Sequence, residues 1–172
     1  MYINGLYRDR LWTRARRADG TAAGRMVDFG WRSNIVVTQA RQALAAFMMG
    51  DEEAFGIRAI QIGGGEATWD DGGPPPPQAS MTALVSPIDE RGIDSEQIVF
   101  LDGTGEPSDE PTTRIEVSVT YGPGEPAPDV ALREFGLFGE LRGSPYMIDL
   151  VRHPVINKGP DDTLERVIRL AF

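Results

Sequence analysis

From Arg114 to Phe172 the chain repeats one arrangement four times, an apolar run closed by a turn rich in glycine, proline or charge. RIEVSVTY (114–121) alternates without a fault. It puts Ile115, Val117, Val119 and Tyr121 on one face and Arg114, Glu116, Ser118 and Thr120 on the other, the two-residue period of a half-buried strand. ALREFGLFG (131–139), YMIDLVR (146–152) and LERVIRLAF (164–172) follow, separated by GPGEPAPD, ELRGSP and NKGPDD. Runs joined by such turns predict antiparallel strands, with a meander as the economical connection. The inward row would hold Ile115, Val117, Val119, Phe135, Leu137, Ile148, Leu150, Ile168, Leu170 and Phe172. An apolar sheet face has to be covered, so the first two thirds of the chain must supply a second layer.

That part offers one helix and several strands. Residues 33–50 predict a helix capped by Ser33 or Asn34, with Val36, Ala40, Leu44, Phe47 and Met48 along the face that would cover the sheet and Gly50 as its stop. IRAIQIGGG (57–65) reads as a strand running into glycine, and MTALVSPID (81–89) and QIVFLD (97–102) as two more strands. Between them lies EATWDDGGPPPPQ, a surface loop whose prolines stiffen it. The first 32 residues mix arginine with Tyr2, Leu6, Tyr7, Trp12, Phe29 and Trp31, and carry turn signals at Asn4-Gly5 and Asp19-Gly20. They read as two short strands or an extended arm. The expected fold is mainly β: an antiparallel β-sandwich or meander with one packed α-helix and an extended N-terminal arm, residues 1–32 forming the arm and 33–172 a single β-rich domain.

At 172 residues the chain is long enough to own a core without staples, and it has no cysteine. No stretch approaches the roughly 20 apolar residues of a membrane helix, and the start shows no secretory pattern. The charge is uneven. Up to Arg32 seven arginines stand against three aspartates, a net +4, which leaves −13 for the remainder of a chain whose net charge is −9. A basic, aromatic segment on an acidic body points to contacts outside the folded core. The candidate interaction residues are therefore Tyr7, Arg10, Trp12, Arg14, Arg16, Arg17, Phe29 and Trp31, with Trp69 from the proline-rich loop.

Motifs for chemistry are thin. The glycines of IRAIQIGGG lack both GxxxxGK[ST] and GxGxxG, which argues against a phosphate cradle. DGTGEPSDEPTT (102–113) gathers carboxylates but not in the spacing of a calcium loop, and Asp70-Asp71 and Asp161-Asp162 are neighbours in loops rather than partners across a cleft. His153 is the sole histidine, flanked by Arg152 and Pro154, and no G-x-S-x-G accompanies it. The expectation is a non-enzyme without cofactor or metal. A hydrolase using His153 is one alternative, and a carbohydrate- or surface-binding module using Trp12, Trp31 and Trp69 is another.

Taken together, RSNIVVTQARQALAAFMMG, IRAIQIGGGEATW, Thr82-Ala83-Leu84, LREFGLFG and MIDLVRHPVINK…LERVIRLAF resemble small structural proteins of tailed-bacteriophage tails and related tail-like, contractile particles. Glu134, Gly136-Leu137-Phe138-Gly139 and Lys158 are the matching positions. The resemblance implies a structural subunit at the tail end, baseplate, neck or fibre anchor, located in the particle and made in the host cytoplasm. Its partners would be copies of itself and other particle proteins. Membrane is not implied, and nucleic acid is disfavoured because the acidic body would repel it.

Overall fold

The computed structural model describes residues 3–16 and 22–172. Eleven strands run in chain order: β1 (Asn4–Arg16), β2 (Ala22–Val36), β3 (Ala54–Gly63), β4 (Pro87–Gly92), β5 (Ile98–Leu101), β6 (Pro107–Ser108), β7 (Arg114–Tyr121), β8 (Val130–Leu141), β9 (Ser144–Met147), β10 (Asp149–Lys158) and β11 (Thr163–Ala171). Helix α1 (Thr38–Met48) follows β2, and α2 (Trp69–Gly72) is a single turn after β3. The protein is thus mainly β with one packed helix.

The strands form one antiparallel sheet in the order β4-β3-β8-β10-β2-β1-β11-β7-β5-β6, with β9 beside β8. At β10 and β2 only Asp149↔Val36 and Leu150↔Ile35 pair, and there the sheet folds over on itself into two layers. Tyr7 of β1 meets Phe135 of β8 edge to face at 5.4 Å across the layers. The shared core takes Val117, Val119 and Tyr121 from one layer and Ile60, Ile62 and Leu137 from the other. Each such side chain, withdrawn from water, contributes on the order of 1.5–3 kcal/mol.

The alternation of 114–121 is realised: β7 spans those residues, with Val117, Val119 and Tyr121 sealed. The meander is realised in part. β8 pairs with β9 and β10 in one layer, whereas β7 pairs with β11 in the other, so GPGEPAPD crosses between layers from β7 to β8. Leu150 is buried but belongs to a second, smaller cluster with Val37, Leu84, Phe138 and Met147, and Phe172 is exposed rather than inward. The strand expected over 81–89 begins only at Pro87.

Two further corrections concern the N-terminal third. Residues 4–16 are extended but interior: β1 pairs with β11 from Asn4↔Ala171 to Trp12↔Thr163 and with β2 on its other side. Tyr7, Asp9 and Leu11 are core residues, and the boundary expected at 32/33 falls inside β2. Residues 33–36, expected as the first helical turn, are strand. Val37 precedes α1 with extended backbone and no side-chain cap, while Asn34 turns instead to Asp149. Of the helix only Ala43 is fully buried.

Candidate functional site

The groups most capable of chemistry lie inside. On β11 the inward parity that buries Leu164 and Ile168 also buries Arg166, whose guanidinium is held by Asp9 at 2.7 and 3.0 Å and rests over the Phe135 ring at 3.8 Å. Its Nη2 lies 3.1 Å from His153 Nε2. Arginine can only donate, so Nε2 accepts and the ring proton sits on Nδ1, which donates to the Pro154 carbonyl at 2.8 Å. Burial, then the Arg166 charge, pushes the His153 pKa down to about 4. With both nitrogens engaged and the ring only 2 % exposed, His153 is a strut between β10 and β11. Asp149 is equally enclosed, accepting from the Leu137 N–H at 2.7 Å and from Asn34 at 2.5 Å, and burial raises its pKa to about 7.

The polar loops are likewise occupied by their own chain. Gly63 packs on Glu134 and the Ser86 carbonyl, so a Cβ there would sit 2.8 Å from each. Gly65, at φ +55°, lies under the Trp69 ring. Gly63 and Gly65 thus allow a close approach of their own chain that a side chain would block. Both Asp70 oxygens are taken by Arg133 at 2.7 and 2.8 Å, and Asp102 Oδ1 accepts the N–H groups of Thr104, Gly105 and Glu106. Among the described residues no group of three or more acidic or histidine side chains gathers as a metal site. The proline loop lies against β10, where Arg152 donates to the Pro75 carbonyl at 3.4 Å and stacks on Trp69 at 4.9 Å. Lys158, buried at the end of β10, donates to the Gly122 carbonyl at 2.8 Å and ties the β7–β8 loop down.

The expected interaction residues separate into three places. Tyr7 is core, Phe29 packs against the core, and Trp69 is buried in the other layer under Arg152. Arg10, Trp12, Arg14 and Trp31 share the outward side of the β1–β2 hairpin, with Arg8↔Trp31 and Trp12↔Met26 as cross-strand neighbours. Arg10 pairs with Glu165 at 2.9 Å, and Trp31 is flanked by Arg169 at 4.4 Å and Arg8 at 5.8 Å. Arg17 lies outside the described residues, and of Arg16 only the backbone is described. Because Trp69 stands apart from Trp12 and Trp31, the three tryptophans make no common cleft.

A further uncovered surface includes Phe47 and Met48, the end of the stripe expected to cover the sheet. Along α1, Ala40 and Ala43 pack inward, but the stripe continues past the edge of the sheets: Phe47 is 63 % exposed, Met48 77 % and Met49 87 %. Beside them opens an apolar cavity of about 330 Å³ between the layers, walled by α1, Phe55, Ile57 and the strand ends Ile3, Leu170 and Phe172. Phe55 and Phe172 are themselves exposed at its mouth. The available signal was positional, since Phe47-Met48-Met49 sits at the very end of the helix before Gly50, where a helix leaves the body it packs on.

Compared with known proteins, the chain matches no family model, no curated protein and no solved structure. Among the described residues no helix is long and apolar enough to cross a membrane.

Proposed function

We propose that the protein is a non-enzymatic structural subunit of a multi-protein assembly, of the tail or tail-like particle type suggested by its sequence resemblance. The observation that carries this reading is the uncovered apolar end where Phe47, Phe55 and Phe172 line the cavity, with Met48 and Met49 exposed next to Phe47 in the chain. A contiguous apolar surface of this kind marks an interaction site rather than a finished surface. The sealed His153 supports the same reading, since the residue a hydrolase would need serves the core. A carbohydrate-binding alternative gains little from Trp31, whose ring is already flanked by two arginines.

The test is the native mass of the purified chain by light scattering as its concentration rises, for the wild type and for Phe47→Ser/Met48→Ser. The wild type should form multiples of the chain mass and the variant should remain smaller. A wild type that stays a strict monomer and binds no apolar dye would overturn the reading.

A further inference from the structure

Resting on that reading, the geometry points to a second copy of this chain as one partner: we propose that the Arg14/Arg25 end of the β1–β2 hairpin binds, head to tail, the acidic corner around β6 of a neighbouring copy. The two surfaces sit at diagonally opposite corners of one layer. In the order β2-β1-β11-β7-β5-β6, the hairpin closes one side and β6 the other. Along the strand direction they are opposed as well. β1 passes beyond the start of β11 at Trp12↔Thr163, so Thr13–Arg16 pair only with Ala22–Arg25. The 102–110 loop lies at the other end, where Arg114 reaches the Gly103 carbonyl at 3.2 Å and Phe172 N–H bonds Thr113.

Their charges are complementary. Residues 102–113 contain four acidic residues and no basic one, with Glu106, Asp109 and Glu110 exposed, and these outnumber Arg114 and Arg169, whose guanidinium groups donate to the Gly103 and Gly105 carbonyls of the same loop. Arg14 and Arg25 are exposed on opposite sides of the projecting ribbon. A two-stranded ribbon projecting from its sheet is marginal alone and gains by docking. β2 adds an open flank, since it bonds β10 only through Ile35 and Val36. Such an edge invites another chain along Ala22–Asn34, and the bulge that sets Phe29 and Gly30 opposite Asp9 limits how far a flat strand could follow it. Because the two patches differ, the contact is heterologous, and repetition gives a ring or an open stack in which copies are staggered along the strand direction.

The test is a charge swap read by sedimentation velocity. Arg14→Glu/Arg25→Glu and, separately, Glu106→Arg/Asp109→Arg/Glu110→Arg should each weaken self-association roughly tenfold or more, as opposed charges at an interface do. Mixing the two variants should restore it, because every hairpin then meets a corner of opposite sign. Wild-type association through these patches should also weaken as salt rises, whereas association through the apolar end would not. If a variant fails to fold by circular dichroism, the salt series on the wild type decides. Unaltered association in both single variants, no recovery on mixing, or association that strengthens with salt would overturn the proposal, as would salt-sensitive DNA binding by the hairpin. Those results leave the structural-subunit reading standing if Phe47→Ser/Met48→Ser still lowers the mass, whereas a monomeric wild type removes both.

Discussion

Asp9 is buried at an inward position of β1, where both of its carboxylate oxygens accept from Arg166. Removing one partner of such a pair leaves a buried charge uncompensated, which costs on the order of 3–5 kcal/mol. Asp9→Ala should therefore lower the urea-unfolding free energy by that amount, while Arg142→Ala, which removes a guanidinium that stays largely in solvent as it pairs with Asp51, should cost under about 1 kcal/mol. Equal losses would show that the Asp9–Arg166 pair is not desolvated as described. Gly136 is constrained by backbone rather than charge: a Cβ there would lie 2.6 Å from the Asp149 carbonyl. Gly136→Val should give insoluble or markedly destabilised protein although valine is the better strand former, and a soluble variant with wild-type melting would refute the close approach. That tightness was legible in GLFG, because glycine inside an apolar strand has few other uses. The Asp9–Arg166–His153 cluster was not, since single polar residues within alternating runs give no sign of meeting each other from opposite ends of the chain.

At the level of elements, periodicity located strands well and pairing poorly. β7 was readable because one face is buried and the other wet, and β8 because both faces are covered, by the core and by the smaller cluster around Leu150. Leu137→Ala and Ile168→Ala, both fully buried, should each cost about 2–5 kcal/mol in chemical denaturation, and losses under about 0.5 kcal/mol would mean a different register. What periodicity does not carry is which strand lies beside which. Nothing local in YINGLYRDRLW announces that it will insert between β2 and β11, because the partner's register is fixed by residues some 160 positions away. The arginines drew attention to solvent, while Tyr7, Asp9 and Leu11 faced inward between them. Deleting residues 1–30 should consequently yield an unfolded or aggregated chain by circular dichroism and proteolysis, since it removes a central strand. A folded, cooperative truncation would restore the idea of a detachable arm. The helix shows the converse error: Phe47 and Met48 fit the core pattern but lie beyond the edge of the layers, a boundary that only the tertiary structure draws.

For the whole molecule, two sealed titratable groups oppose each other in their effect on stability. Asp149 titrates near 7 when folded against 3.8 ordinarily, so between those values the folded state holds the extra proton. Its contribution is fully present below about pH 3.8 and is lost as pH rises through 7. His153 titrates near 4 when folded against 6.5 ordinarily, so there the unfolded state holds the extra proton. Its contribution is present above about pH 6.5 and is lost as pH falls through 4. Over most of pH 4 to 6.5 the two slopes have opposite signs and largely cancel. The wild-type stability should therefore change little with pH across that range as far as these groups are concerned. Asp149→Asn removes one side of the balance. Its urea midpoint, relative to wild type, should fall as pH is lowered from 7 to 4.5. His153→Gln, whose side-chain oxygen can still accept from Arg166, should behave in the reverse sense, losing stability relative to wild type as pH rises from 4.5 to 7.5. Both groups contact elements of the two layers, Asp149 at the β2–β10 fold-over and His153 against Arg166 and the Tyr7 and Phe135 rings. The compensation is thus built into the join of the sandwich, and parallel pH profiles for wild type and both variants would show that neither carboxyl nor imidazole is buried there in the state described.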